Sequence, residues 1–457
     1  MKKLMAILIV LSLFLTATAI GQTINYDSKN FDTIYFASEE KSSWTVMYYM
    51  CCDSNMYEDS DELIENLSKI GSKQDFNLIA LYDGIYYGDS KVIYFDYSGE
   101  QVILNNQIGF PDEIDYSNPI VFEEFLKKTI QLFPAEHYAF ITYGSAGLGW
   151  QIYCVHDESN GTTGFSIPRL GEAFKNVTNN GEEKIDVIFT SCAMNAVELA
   201  YEIYPYVDYI VGTQDCLSSN FYYRFYQPVW SLYNNTDLKP EEFAKLAPEQ
   251  LKPKSFFYRE SYYGRLFCIN KFLNKLPFKN LHTVVHHDNT GVVNCSNIKS
   301  LIKSVDNLSR YLTLNLYDKE ILNNIKDARA EVRESGKCNL KYHILPIIYI
   351  QMYLSLELFA YDAFIDLYDF CEKLKGNTEN IFLKDHCLDV MQNMNKSVPY
   401  INTTTNDSLH GLNIYFPEEK RMYNMDLITG PLPCTYECLK FSKDTSWDEF
   451  IKDYLKV

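Results

Sequence analysis

The hydrophobic positions in the first half of the chain switch repeatedly between two periodicities. Short runs rich in β-branched and aromatic residues predict buried strands, and apolar residues three or four positions apart predict the helices between them. Two further runs flank Ser98-Gly99-Glu100 as the strands of a hairpin would. The predicted strands cover residues 44–50, 76–82, 138–142, 185–190 and 209–213, the hairpin 91–97 and 101–104, and the helices 63–70, 126–133, 167–174 and 197–204.

This alternation predicts an α/β fold with a mostly parallel central sheet flanked by helices in three layers, because the strands are nearly continuous in apolar residues and must be covered on both faces. Right-handed crossovers bring the carboxyl ends of such strands to one edge of the sheet. We expect the working site beyond that edge. The segments concerned start at Cys51, Asp83, Tyr143, Ser191 and Gln214.

The alternation weakens after about residue 235, and the remainder is predicted to be mainly helical. Helical stretches cover residues 298–314 and 343–359, and one strand-like segment, 412–416, ends at Pro417. That segment pairs either with the main sheet or within a small second one. We therefore divide the chain into an α/β domain at 42–235 and a helical part at 236–457 with a late strand at 411–417.

The amino terminus has the pattern of an export signal. Met1-Lys2-Lys3 precedes an apolar run up to Leu15 and small residues up to Ala19, which predicts a signal peptide at 1–19 and a polar leader at 20–41. No later stretch approaches the roughly 20 apolar residues that a membrane span requires. We expect an extracellular, periplasmic or cell-surface protein without a transmembrane span after signal cleavage.

Composition restricts the partners further. The 457 residues carry a formal net charge of −19, and acidic residues are spread along the chain, which argues against a nucleic-acid partner. The 12 cysteines are too sparse for a disulfide scaffold in a chain of this length. Cys434 and Cys438 are close enough in sequence to form a disulfide or to remain two free thiols.

Cys192 is the first candidate for chemistry. It directly follows a predicted strand and directly precedes a predicted helix, where the helix dipole favours a thiolate. A free cysteine is also often a small buried hydrophobic residue, so the position alone leaves both interpretations open. The segment Tyr143 to Trp150 contains three glycines, which suit an oxyanion hole or simply a tight turn.

Five separated segments resemble the clostripain family of cysteine peptidases, relatives of caspases, gingipains and legumain. The first resembles that family's opening strand with its D-N-N turn, the second leads into the histidine strand, and the third resembles the F-D-A-C-L-M-x-x-x-E-x-A-Y-E nucleophile block. The last two resemble the I-D-L-Y-D-F and G-L-S-I-Y-F-P blocks. These segments are WTVMYYMCCDSN (44–55), FPAEHY (133–138), FTSCAMNAVELAYE (189–202), IDLYDF (365–370) and GLNIYFP (411–417).

The resemblance implies a caspase-like sheet on which a cysteine thiolate attacks a peptide carbonyl and a neighbouring histidine acts as acid and base. Cys192 matches the nucleophile. The family's H-G-x-G-W motif aligns with this chain at Trp150, which sets Ala146 against the catalytic histidine. We therefore predict impaired peptidase activity, with the former substrate groove retained for binding a polypeptide.

A second departure from the family pattern lies two residues before the nucleophile. The resemblance implies an aspartate there that selects arginine or lysine in the substrate, and this chain has Thr190. A neutral hydroxyl cannot form a bidentate ion pair with a guanidinium. We expect Thr190, Thr213, Ser145 and Gly147 to contact substrate, without a preference for basic residues.

An active peptidase remains the alternative hypothesis. His156 would replace the missing base, and Asp157 would orient its imidazole. The competing interpretation of His156 is a surface residue without a role. A purely structural surface protein is the third class. No cofactor is predicted. The resemblance includes calcium-dependent family members, and this sequence contains no EF-hand loop, so calcium dependence stays open.

Overall fold

The structure is a computed structural model that describes residues 41–53, 60–144, 147–154, 157, 159–160, 164–190, 193–214, 225–251, 255–257, 285–287, 289–332, 363–403, 408–424 and 434–456. The predicted signal peptide, nearly all of the predicted leader and the predicted helix at 343–359 lie outside these ranges. The strands, in chain order, are β1 Ser42–Cys51, β2 Phe76–Asp83, β3 Lys91–Phe95, β4 Gln101–Ile103, β5 Ala135–Gly144, β6 Gly147–Leu148, β7 Ile152–Tyr153, β8 Ile185–Phe189, β9 Val207–Gly212, β10 Ser255–Phe257, β11 Val285–His287, β12 Thr290–Asn294, β13 Phe364–Asp366, β14 Tyr400–Asn402 and β15 Asn413–Tyr415.

A mixed sheet forms the centre of the fold. In the described part of the chain it contains nine strands in the order β14-β12-β9-β8-β5-β1-β2-β3-β4. The five strands from β9 to β2 run parallel, and antiparallel strands extend both sides. The predicted parallel core and the predicted β3–β4 hairpin are confirmed.

Two strands of this sheet, β12 and β14, come from the second half of the chain and were not predicted. They extend the sheet beyond β9, with Val292 opposite Val211 and Tyr400 opposite Val292. Both are short, and β12 contains Gly291, so their sequences lack the long apolar runs of the parallel strands. The late strand β15 pairs instead with β13 in a separate two-stranded sheet, which settles its two predicted alternatives.

Helices cover both faces of the sheet. They are α1 Ser60–Ile70, α2 Asn105–Ile108, α3 Pro119–Leu132, α4 Ile167–Val177, α5 Val197–Ile203, α6 Tyr226–Asn234, α7 Pro240–Gln250, α8 Ile298–Asn315, α9 Lys319–Glu331, α10 Leu367–Asn377, α11 Ile381–Ser397, α12 Lys440–Asp444 and α13 Trp447–Leu455.

The alternation of side chains along β1 shows how the layers are held. Trp44 and Tyr48 lie in a buried cluster with residues of α1, α6 and α7, such as Phe243. Tyr49 points to the other face and packs against Phe122 of α3. Because successive side chains of a strand point to opposite faces, one apolar strand builds two cores. The helices that follow α7 pack mainly on one another, with α8 against α11 and α13, and α10 against α9 and α11.

No helix in the described ranges has the length and hydrophobicity needed to cross a membrane.

Candidate active site

Three of the predicted site residues, Thr190, Thr213 and Gly147, fall within the described ranges. Cys192, Ala146, Ser145 and His156 lie outside them, so the roles assigned to these four residues stay predictions. The three described residues lie at or just beyond the carboxyl ends of β8, β9 and β5. These ends form one edge of the sheet, where the topology predicts the working site.

Thr190 follows β8 and is fully buried. Its backbone N–H donates to the carbonyl of Val211 at 2.8 Å, and its hydroxyl lies 3.4 Å from the same oxygen. A Cβ added to Gly212 would clash with the Thr190 hydroxyl and with the side-chain oxygen of Asn195. Thr190 is therefore close-packed against the main chain of β9 and against Asn195, and it supplies no carboxylate of its own.

Thr213 holds the turn that follows the nucleophile position. Its hydroxyl accepts a hydrogen bond from the N–H of Ala193 at 3.3 Å, and its carbonyl accepts from the N–H of Asn195 at 2.9 Å. Ala193 has a φ of 54°, a conformation that is uncommon for a residue with a side chain. Thr213, predicted to contact substrate, thus has a structural role: it holds the turn that directly follows Cys192 in the chain.

The helix after Cys192 begins at the predicted residue, but Cys192 does not directly precede it. Helix α5 starts at Val197, with Ala196 in an extended conformation before it. The turn at 193–196, fixed by Thr213, separates the nucleophile position from this helix. The prediction that Cys192 directly precedes a helix is therefore wrong, and the helix-dipole argument for its thiolate loses its basis, since the dipole acts only near the first turn.

The glycine-rich segment has structural uses for its glycines. Gly144 has a φ of 98°, and an added Cβ would clash with the carbonyl oxygen of Cys51. Gly147 and Leu148 form β6, which pairs with β7. Gly149 has a φ of 50° and lies against the ring of Phe364. Two of the three glycines thus allow backbone conformations and close approaches that a side chain would prevent.

Gln214, directly after Thr213, forms hydrogen bonds with both of the late segments that resemble the clostripain family, 365–370 and 411–417. Its side-chain amide donates to Asp366 at 2.8 Å and to the side-chain oxygen of Asn413 at 2.9 Å, and its side-chain oxygen accepts from the N–H of Gly411. Asn413 in turn donates to the carbonyl of Gln214 at 2.7 Å. Gln214 and Asn413 are fully buried, so water does not compete for these hydrogen bonds. We call Gln214, Asp366, His410, Gly411 and Asn413 the amide cluster.

His410 and Asp366 form a histidine–carboxylate pair that the sequence did not suggest. His410 Nδ1 lies 3.0 Å from Asp366 Oδ1, and the ring stacks on Tyr368 with centroids 4.2 Å apart. Burial acts to lower the pKa of His410, but the hydrogen bond to Asp366 and the charges of Asp366 and Asp369 outweigh it and raise the pKa above its ordinary value. The two residues are 44 positions apart, so no local spacing identifies them.

Glu198 is another residue of the nucleophile block, and its contacts give it a structural role. It is fully buried on α5, and its Oε1 accepts from the N–H of Tyr415 at 2.8 Å and from the hydroxyl of Tyr436 at 2.9 Å. Burial raises the pKa of Glu198 to about 7, against these hydrogen bonds. Glu198 therefore attaches the helix after the nucleophile turn to the late strand β15 and to the segment before α12.

Taken together, these contacts define a class of protein. A mostly parallel sheet covered by helices on both faces has, at its carboxyl edge, the nucleophile block, the glycine segment and the two late blocks in mutual contact. That is the caspase-like arrangement implied by the resemblance. The chain matches the model of the clostripain family over residues 48–454, and it belongs to the clostripain family of C11 cysteine peptidases.

Solved structures agree with the fold. A secreted C11 cysteine protease from Bacteroides thetaiotaomicron, in complex with an irreversible peptide inhibitor, is 16% identical, with a TM-score of 0.56 over 89% of this chain and 100% of that one. An inactive zymogen C11 protease from Parabacteroides distasonis is 15% identical, with a TM-score of 0.56 over 89% and 99%. No curated protein matches the chain.

Proposed function

We propose that this protein is an exported clostripain-family member with impaired peptidase activity, which binds polypeptides in the former substrate groove. The observation that carries the proposal is Ala146 at the family's histidine position, beside a retained nucleophile position at Cys192. Alanine has no group that accepts or donates a proton. Loss of a general acid or base typically slows catalysis about 10²- to 10⁴-fold.

The alignment that identifies Ala146 depends on Trp150, and the packing of Trp150 supports it. Its side chain is buried, with ring centroids 5.1 Å from both Tyr415 and Tyr436. Tyr415 belongs to the block that resembles G-L-S-I-Y-F-P. This tryptophan packs directly on another segment that resembles the family, which supports its use as the anchor of the alignment.

The scaffold around the groove supports binding. The amide cluster keeps the late blocks attached to the turn after Cys192, with Asn413 N donating to the carbonyl of Asn195 at 2.8 Å. Thr190 supplies no carboxylate, which favours a ligand without a basic anchor residue, since a buried guanidinium requires a paired carboxylate. The peptide inhibitor bound to the Bacteroides thetaiotaomicron relative supports a polypeptide as the ligand class. That relative is also secreted, which agrees with the export signal.

An active cysteine endopeptidase that uses Cys192 with His156 is the alternative function. Asp157 was expected to orient His156, but its carboxylate is fully buried and accepts from the backbone N–H groups of Tyr116 at 3.2 Å and Asn160 at 2.9 Å. These contacts give Asp157 another role. The alternative therefore has less support than the impaired peptidase.

Release of fluorescence from a mixed peptide library separates the two functions. We expect no activity in the unmodified protein and in Cys192→Ala, and activity in Ala146→His, because the variant restores the acid and base beside an intact nucleophile. Activity of the unmodified protein that disappears in Cys192→Ala would contradict impairment and lead to His156→Ala as the next variant.

Binding is tested separately by fluorescence anisotropy of labelled peptides. We expect Cys192→Ser to retain peptide binding and Cys192→Trp to weaken it about tenfold or more, because an indole at the nucleophile position fills the groove. Unchanged circular dichroism of both variants is the control. Equal affinity of the two variants would show that peptides bind elsewhere.

A further inference from the structure

Cys434 and Cys438 lie on the short segment before α12, in which Tyr436–Cys438 forms one turn of 3₁₀ helix. The carbonyl of Thr435 accepts from the Cys434 thiol at 3.1 Å and from the backbone N–H of Cys438 at 3.0 Å. The Thr435 hydroxyl lies 3.9 Å from Cys438 Sγ. Both cysteines therefore fold back onto the same residue, and their thiols are hydrogen-bonded to each other. We call Cys434 and Cys438 the thiol pair.

The thiol pair differs from the other cysteines of the described ranges in its access to solvent. Cys438 is exposed and Cys434 is half-buried, whereas the remaining described cysteines are buried. Cys371 and Cys387 are also hydrogen-bonded to each other, but both are fully buried. Because a thiol must be accessible to react with a reagent in solution, Cys438 can react in the folded protein and the buried pair cannot.

The two thiols of the pair have opposite electrostatic surroundings. Hydrogen bonding with Cys434 lowers the pKa of Cys438 below its ordinary value, against the effect of burial, and Thr435 and the positive charge of Lys443 lower it further. The Lys443 ammonium is held close by, because it donates to the carbonyl of Cys438 at 2.6 Å. Burial, together with the hydrogen bond and the charge of Cys438, raises the pKa of Cys434. Cys438 therefore favours the thiolate, and Cys434 favours the protonated thiol.

This asymmetry matches the two roles in a redox-active dithiol. The attacking thiol has to be accessible and to form a thiolate, whereas the resolving thiol only has to reach the sulfur of the first. A disulfide requires Cβ atoms about 3.5–4.5 Å apart. Two thiols in hydrogen-bond contact reach this separation by a local adjustment of the turn.

Tyr436 connects the thiol pair to the candidate active site. It lies between the two cysteines in the chain, it is fully buried, and its hydroxyl donates to Glu198 on α5 at 2.9 Å. Its ring packs on Trp150 of the glycine segment, with centroids 5.1 Å apart. A bond between Cys434 and Cys438 would close a covalent ring that contains Tyr436. The oxidation state of the pair therefore acts on the turn that supports the glycine segment and α5.

We propose that the thiol pair is a reversible dithiol–disulfide site that reacts with small disulfides in solution, with Cys438 as the attacking thiol and Cys434 as the resolving thiol. The Cys438 thiolate attacks one sulfur of the small disulfide and breaks its S–S bond. One half stays on Cys438 as a mixed disulfide, and the other half leaves as a thiolate that takes up a proton. Cys434 then loses its proton and attacks the Cys438 sulfur, which forms the protein disulfide and releases the second half as a thiol. The small disulfide is thereby reduced to two thiols, and an added dithiol reverses the reaction. This site does not depend on the proposed peptide binding.

Peptide mapping by mass spectrometry tests the proposal on the folded full chain. The protein is reduced with dithiothreitol, freed of the reductant and incubated with glutathione disulfide as the probe, and the remaining thiols are then alkylated in denaturant. We expect a peptide that contains the Cys434–Cys438 disulfide, with neither residue alkylated, and a second treatment with dithiothreitol should restore both thiols. Cys371 and Cys387 are the internal control, because buried thiols should give the same result with and without the probe.

Two serine variants, both checked for unchanged circular dichroism, test the order of attack. Cys434→Ser should keep glutathione on Cys438, because the resolving thiol is absent. Cys438→Ser should leave Cys434 without glutathione, because that thiol is half-buried and protonated. Equal alkylation of both cysteines with and without the probe in the unmodified protein would overturn the site, and this measurement needs no variant. Glutathione retained on Cys438 of the unmodified protein would overturn the resolving role of Cys434. Glutathione on Cys434 in Cys438→Ser would overturn the assignment of the attacking thiol.

Discussion

The amide cluster and a group of three buried aspartates, Asp53, Asp83 and Asp157, lie at the same edge of one sheet and differ in the partners of their carboxylates. We call this group the aspartate cluster. Asp366 is fully buried, and it accepts from Gln214, from the backbone N–H of Asp369 at 2.7 Å and from His410. In the aspartate cluster, Asp83 accepts from one hydroxyl and faces two further carboxylates. One region pairs its carboxylate with a histidine and with amide donors, and the other brings three carboxylates together without a basic partner among the described residues.

This difference separates scaffold from site. A buried polar group with all of its partners inside the protein rigidifies the fold and requires nothing from outside. The amide cluster is of this kind, and it accounts for two of the blocks that resemble the clostripain family without any appeal to catalysis. Retention of these blocks therefore says little about activity. The aspartate cluster has hydrogen-bond donors, but no basic residue of the described ranges pairs with it.

An aspartate-to-asparagine substitution in each cluster gives the largest expected difference between the two. Asp366→Asn should lower the free energy of unfolding by about 3–5 kcal/mol, because an amide nitrogen then faces the donors of Gln214 and His410. Measured in EDTA, Asp83→Asn should leave the free energy of unfolding unchanged or raise it. Urea denaturation of both variants measures the pair of effects.

Glu172→Gln serves as a control for urea unfolding, since Glu172 is an exposed partner of Arg169 on α4 and exposed ion pairs contribute about 1 kcal/mol or less. Equal destabilisation by Asp366→Asn and Asp83→Asn would show that the two clusters do not differ.

Glu198 is a buried carboxylate that contacts the late strand β15, and burial raises its pKa. Folding raises its pKa from 4.5 to about 7, so the folded state binds more protons than the unfolded state between these values. The free energy of unfolding should therefore fall as the pH rises from about 4.5 to 7, by about 3 kcal/mol at most. Glu198→Gln should flatten this part of the pH profile, measured by urea unfolding at several pH values.

Glu182→Gln is the matched control, because Glu182 is an exposed residue and its substitution should leave the profile unchanged. A pH dependence that survives in Glu198→Gln would show that another group takes up the proton.

Much of the fold follows from local sequence. The parallel strands from β1 to β9 are nearly continuous in apolar residues because both of their faces are covered, and that pattern is visible without tertiary contacts. The edge strands β12 and β14 are short and obtain their stability from pairing with β9 and with each other. The start of α5 at Val197 follows from the local pattern, but the turn before it is held by hydrogen bonds to Thr213, twenty positions after Ala193.

The site was less predictable for the same physical reason. Family resemblance identified the nucleophile position and the blocks around it, but not what holds them together. Gln214 and Asn413 are 199 positions apart, and Ser159 is 106 positions from Asp53. Such pairs come together only through the topology of the sheet. No spacing in the sequence predicts either cluster.

His410 offers the smallest and most specific test, because it pairs with Asp366, whereas no basic residue of the described ranges pairs with the aspartate cluster. Its pKa is raised in the folded state by Asp366, so its contribution to stability is complete below the unfolded pKa near 6.5 and is lost as the pH rises through the folded pKa. The side chain is 32% exposed, so we expect about 1 kcal/mol or less. His410→Gln should remove this decline above pH 6.5 while leaving the Glu198 window at lower pH unchanged, as measured by urea unfolding across both windows. If the decline in the free energy of unfolding above pH 6.5 persisted in His410→Gln, the stabilising contacts of Asp366 would be those with its neutral donors. The two clusters would then differ in hydrogen bonding alone.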